Sequence, residues 1–73
     1  MTNKQFNEIY RDFESMSKSK TLSEIANWLD EHEEFSLINR SEISITFRFK
    51  ERDLSVCISK EFLGTSSVIL KRL

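Results

Sequence analysis

Near residue 40 the spacing of apolar residues changes from helical to alternating, and the sign of the charge changes with it. A period near 3.6 buries one stripe of a helix, and a period of 2 buries one face of a strand. The first 35 residues carry 8 acids and 4 bases, and the other 38 carry 7 bases and 4 acids. The chain therefore reads as an acidic helical layer followed by a basic sheet.

Phe6, Ile9, Tyr10, Phe13 and Met16 fall on one helical face, which predicts a helix over about 3–17 with Thr2 or Asn3 as N-cap. Thr21-Leu22-Ser23-Glu24 has the form of a capping box, in which hydroxyl and carboxylate each satisfy a first-turn amide. It opens a second helix over about 22–34, with Leu22, Ile25, Ala26 and Leu29 inward. Residues 36–42 read as a connector.

Alternation then sets Ile43, Ile45, Phe47 and Phe49 against Ser44, Thr46, Arg48 and Lys50, predicting a strand over about 43–50. Leu54, Val56 and Ile58 repeat the pattern in a strand over about 54–60. Closing a hairpin over Lys50–Asp53 sets Phe49 opposite Leu54, Phe47 opposite Val56 and Ile45 opposite Ile58. Lys50 then meets Asp53, Arg48 meets Ser55 and Thr46 meets Cys57. A one-residue slip would mix the two faces. Gly64 marks the next turn, and 66–72 reads as a third strand with Val68 and Leu70 inward, although a short helix also fits. The expected fold is a single α+β domain over 1–73: two N-terminal helices packed on one face of a small antiparallel sheet, α-α-β-β-β, in two layers.

Composition excludes more than it specifies. One Cys and one His leave no disulfide and too few ligands for a structural zinc site, and a lone thiol fits a reducing cytoplasm. No stretch approaches the roughly 20 apolar residues of a membrane span, and the N-terminus lacks a signal peptide's apolar run. The net charge of −1 argues against a general nucleic-acid coat. No Pro, one Gly and one Ala, beside many Lys, Asn, Ile and Phe, match the codon usage of an AT-rich genome such as that of a phage, another mobile element or a low-GC bacterium.

No catalytic residue, cofactor or metal is expected. Cys57 and His32 are the only nucleophile–base pair, and the expected sheet separates them. Trp28 lies about 100° from the centre of the second helix's apolar stripe. His32 and Phe35 share that flank at i+4 and i+7. With Asp30, Glu31 and Glu34 alongside, the flank has the make-up of a protein-binding hot spot. A broad core that covers it is the plainer reading. Acids at a helix C-terminus also oppose its macrodipole, and Glu33 belongs to the same run.

The alternative is nucleic-acid binding through the outer sheet face, using Arg48, Lys50 and Lys71 with Lys60 and Arg72 nearby. Leu22–Leu29 also resembles the second helix of helix-turn-helix proteins, and the hairpin resembles the wing of winged-helix domains. That resemblance implies a DNA-recognition helix, which only residues 34–42 could supply. The segment carries one base, Arg40, and follows an acidic run. The leading expectation is a small non-enzymatic cytoplasmic interaction or regulatory module that binds a host protein. Its size and an open sheet edge also suit a homodimer.

Overall fold

A computed structural model describes residues 2–60 and 65–73. Two helices, α1 (Asn3–Ser19) and α2 (Leu22–Asp30), precede four strands, β1 (Phe35–Arg40), β2 (Ser44–Phe49), β3 (Leu54–Lys60) and β4 (Ser66–Arg72). The strands form one antiparallel sheet in the order β1-β2-β3-β4, with each strand beside the next in sequence. The helices cover one face, α1 over the β3–β4 side and α2 over β1 and β2.

Both helices start as their side chains dictate. Thr2 and Gln5 form a capping box at α1, and Thr21 and Glu24 form another at α2. Each box satisfies two amides that the first turn would otherwise leave open. The expected stripe of α1 faces the core, where Phe13 is buried and Ile9, Tyr10 and Met16 are partly buried. Ser17, one turn beyond Phe13, is fully buried. Its hydroxyl donates to the Glu14 carbonyl at 2.7 Å and its oxygen accepts from the Ser66 hydroxyl at 3.2 Å, joining α1 to β4 without a buried orphan.

The hairpin register deduced from alternation holds at every pair from Ser44–Ser59 to Phe49–Leu54. Ile45, Phe47, Leu54, Val56 and Ile58 are consequently fully buried, each contributing about 1.5–3 kcal/mol in water exclusion. Residues 50–52 form a short 3-10 turn, and Asp53 closes it in the left-handed region at φ 49°. Asp tolerates that region better than most residues. Asp53 pairs with Arg48, not with the expected Lys50, at 3.5 Å. β4 is a strand, as one of the two readings had it, with Val68 buried and Ile69 exposed. The expected turn at Gly64 lies outside the described residues.

Three expectations change. The connector contains a fourth strand, β1, which pairs Phe35 with Phe49 and Leu37 with Phe47 before a bulge at Ile38 shifts the register. Helix α2 stops at Asp30 instead of about residue 34. Ile43, expected inward, lies in the β1–β2 loop and is 59% exposed. The segment that a recognition helix would need is thus a strand, and no helix-turn-helix arrangement remains.

Candidate functional site

The structure brings Trp28, His32 and Phe35 together, but on different elements: Trp28 on α2, His32 in the turn after it and Phe35 opening β1. The Trp28 and His32 rings stack with centroids 4.1 Å apart, and Phe35 lies 5.1 Å from Trp28. His32 Nδ1 sits 2.7 Å from the Trp28 carbonyl oxygen. A carbonyl can only accept, so Nδ1 carries the proton and donates. It thereby adds a second donor to a last-turn carbonyl that the Glu31 amide also reaches at 3.2 Å. The Lys20 ammonium lies 5.9 Å from the Trp28 ring, adding a cation–π contact.

These residues have structural duties. Phe35 packs at 5.9 Å from Phe13, 5.6 Å from Phe47 and 4.7 Å from Phe49. Trp28 and Phe35 both pack against the core. Trp28, His32 and Phe35 are each half-buried, so the flank packs against the core with part of its surface still exposed.

What stays open is the acidic rim. Asp30, Glu31 and Glu33 are exposed and Glu34 is half-buried. Among the described residues none of the four pairs its carboxylate with a cation. The last turn of α2 holds no base to offset them. Asp30 and Glu33, with Ala26, Leu29, His32, Phe35, Leu37 and Lys50, line an open groove of about 470 Å³ between the end of α2 and the β1 edge. Leu37, half exposed, forms an apolar wall of that groove. Sequence reading missed Leu37, Ile38 and the groove because it missed β1.

The basic sheet face is thinner than expected. Lys50 leaves β2 for the 3-10 turn, and its ammonium points to the Glu33 carbonyl at 3.5 Å, on the groove side. The Lys60 ammonium donates to the Lys20 carbonyl between the helices. Arg72 lies over the Phe6 ring of α1 at 5.7 Å. Arg48 and Lys71 remain on the outer face, in one cross-strand row with Ser36 and Ser55, and Asp53 partly neutralises Arg48. The next rows are short and mostly uncharged: Asn39, Thr46, Cys57 and Ile69, then Ser44, Ser59 and Ser67. No aromatic ring stands among these residues to stack a base.

Cys57 lies on this outer face, with Sγ 3.8 Å from the Ser59 hydroxyl. His32 lines the groove on the helix side, so the sheet stands between them. Among the described residues no group of three or more His, Cys, Asp or Glu could hold a metal ion, and no helix is long and apolar enough to cross a membrane.

No protein-family model, curated protein or solved structure matches the chain.

Proposed function

We propose that this chain is a non-enzymatic interaction or regulatory module that binds a partner protein through the acidic end of α2. The observation that carries the reading is the set of four carboxylates, Asp30, Glu31, Glu33 and Glu34, which among the described residues form no ion pair and lie by a groove with an apolar wall. Of these, Asp30 and Glu31 stand at the C-terminus of α2 and oppose its macrodipole, each by about 0.3–1 kcal/mol. Where a chain sets charge against local stability, function is a common reason. The partner surface that fits is basic with an apolar ridge, its charges meeting the rim and its ridge entering against Leu37. Trp28, His32 and Phe35 hold the rim in place from behind.

The composition suits a product of a phage or other mobile element that occupies a host protein's surface. The competing reading, nucleic-acid binding, rests on Arg48 and Lys71 alone once Lys50 is assigned to the groove.

Capture from the native host tests the proposal. The chain is used as bait with and without nuclease, and bound material is identified by mass spectrometry and by a nucleic-acid stain. A protein retained after nuclease treatment is the expected result. Recovery of nucleic acid with loss of all protein after nuclease contradicts it.

A further inference from the structure

The groove between α2 and β1 changes character along its length. Arg40 at the end of β1 donates to Ser23 at the start of α2, and the Phe35 amide at the start of β1 donates to the carbonyl of His32, just after α2. The two elements therefore run side by side in opposite directions. Toward the middle of this pair the groove is lined by Ala26 and Leu37, and toward the turn by Asp30, His32, Glu33 and Lys50. One end is apolar and the other polar. Its volume of about 470 Å³ is that of a small-ligand cleft.

The polar end is rich in acceptors. Asp30 and Glu33 form no ion pair among the described residues. His32 donates through Nδ1, so Nε2 of the neutral ring is an acceptor, and among the described residues it has no hydrogen-bond partner. Lys50 is the one cation in the lining, and its ammonium lies at the Glu33 carbonyl and not at a carboxylate. Two carboxylates thus outnumber one ammonium, and the lining keeps a net negative charge. We propose that this groove takes an arginine side chain of the partner protein, its stem along Leu37 and its guanidinium among Asp30, Glu33 and His32. The inference rests on the acidic end of α2 being the contact surface, and it names the group that enters there.

An apolar stem that ends in a cation matches the gradient of the groove. Arginine fits better than lysine. The planar guanidinium carries several donors in a fixed fork, so it can meet two separate acceptors at once. It can also stack on the rings of His32 and Phe35, which line the same groove. A lysine ammonium is a more strongly hydrated point charge, set against that of Lys50. A purely apolar segment would desolvate the two carboxylates without supplying a cation, which is costly. An acidic or phosphate-bearing segment would be repelled by them.

Trp28 is the only Trp, and its ring stacks on His32, so its emission reports on the groove. The full chain is titrated to millimolar concentration with a blocked peptide, Ala-Leu-Ala-Arg-Ala, and with versions carrying lysine or citrulline in place of arginine. Binding is read by Trp28 emission and by backbone amide NMR shifts. The expected result is saturable binding of the arginine peptide, with shifts confined to the groove residues of 26–37. The lysine peptide should bind about fivefold or more weakly, and the neutral citrulline peptide about tenfold or more weakly. Asp30→Asn/Glu33→Gln should abolish binding of the arginine peptide, and Arg48→Glu/Lys71→Glu should leave it unchanged, with circular dichroism confirming that each variant is folded. No saturable change by either readout overturns the inference. So does a lysine or citrulline peptide that binds as well as arginine, or binding that survives Asp30→Asn/Glu33→Gln or is lost in Arg48→Glu/Lys71→Glu. If the peptides fail while capture from the host still requires the rim acids, this inference falls and the proposed function stands.

Discussion

Phe35 and Phe49 face each other across β1 and β2, with ring centroids 4.7 Å apart. Phe35 thereby ties the edge strand to the core, where it also meets Phe13 and Phe47. Phe35→Ala should cost about 3–5 kcal/mol through lost burial and the cavity left behind. A domain this small holds little more than that in total. Thermal melts by circular dichroism should show the variant largely unfolded at room temperature, with Phe35→Leu retaining a cooperative transition. A stable, folded Phe35→Ala would return this ring to the contact surface.

The capping box of α2 can be tested by itself. Thr21→Ala removes the side chain that accepts from the Glu24 amide at 3.2 Å. It should cost about 1 kcal/mol, which for a domain of this length lowers Tm by about 4–8 °C.

Acid should act on the same box. The hydrogen bonds from the Thr21 amide and hydroxyl hold Glu24 below its ordinary value of 4.5. The Lys18 ammonium does the same for Glu14. A carboxyl whose pKa is lower when folded adds stability above its unfolded value and loses it as pH falls through the folded one. Stability should therefore decline below about pH 4.5, and Glu24→Gln should flatten part of that decline in melts run across pH.

The left-handed residue of the β2–β3 turn makes a separate test. Asp53→Gly keeps φ near 49° accessible and gives up only a surface ion pair worth about 0–1 kcal/mol. It should be close to neutral. Asp53→Val should cost about 1–2 kcal/mol, measured by urea unfolding. Equal effects would show that the turn relaxes to another conformation.

The periodic parts of the chain were legible because each obeys one rule throughout. Ile45, Phe47, Val56 and Ile58 alternate without a break, so one register satisfied them all. β1 was not legible because its bulge breaks the alternation: Leu37 and Ile38 are adjacent apolar residues. Phe35 also falls seven residues after Trp28, so a helical period seemed to continue through it. The true end of α2 is set by contacts that no period records, namely His32 donating to the Trp28 carbonyl and the Phe35 amide donating to the His32 carbonyl at 3.3 Å. The aromatic group does come together, but from a helix, a turn and a strand instead of one helical flank, and it also packs against the core. Lys50 was counted on the basic face with Lys60 and Arg72 nearby, but Lys50 leaves the strand, while Lys60 and Arg72 fall at inward register positions opposite Ser66 and Leu54.

The rim acids should also show a trade between stability and binding. Glu31 caps α2 at its C-terminal end, so Glu31→Lys replaces an unfavourable charge with a favourable one. It should raise stability by about 0.3 kcal/mol or more at low salt, the gain shrinking as salt is added, while partner capture weakens. Unchanged capture would place the contact elsewhere.

The most direct test compares two charge-reversed baits in one capture experiment from native host cells. Asp30→Lys/Glu31→Lys/Glu34→Lys reverses the rim, and Arg48→Glu/Lys71→Glu reverses the sheet face. Both sets of side chains lie outside the core, and circular dichroism confirms the fold of each. Loss of the partner by the rim variant and its retention by the sheet variant is the predicted result. Retention by the rim variant with loss by the sheet variant would contradict the acidic end of α2 as the contact surface.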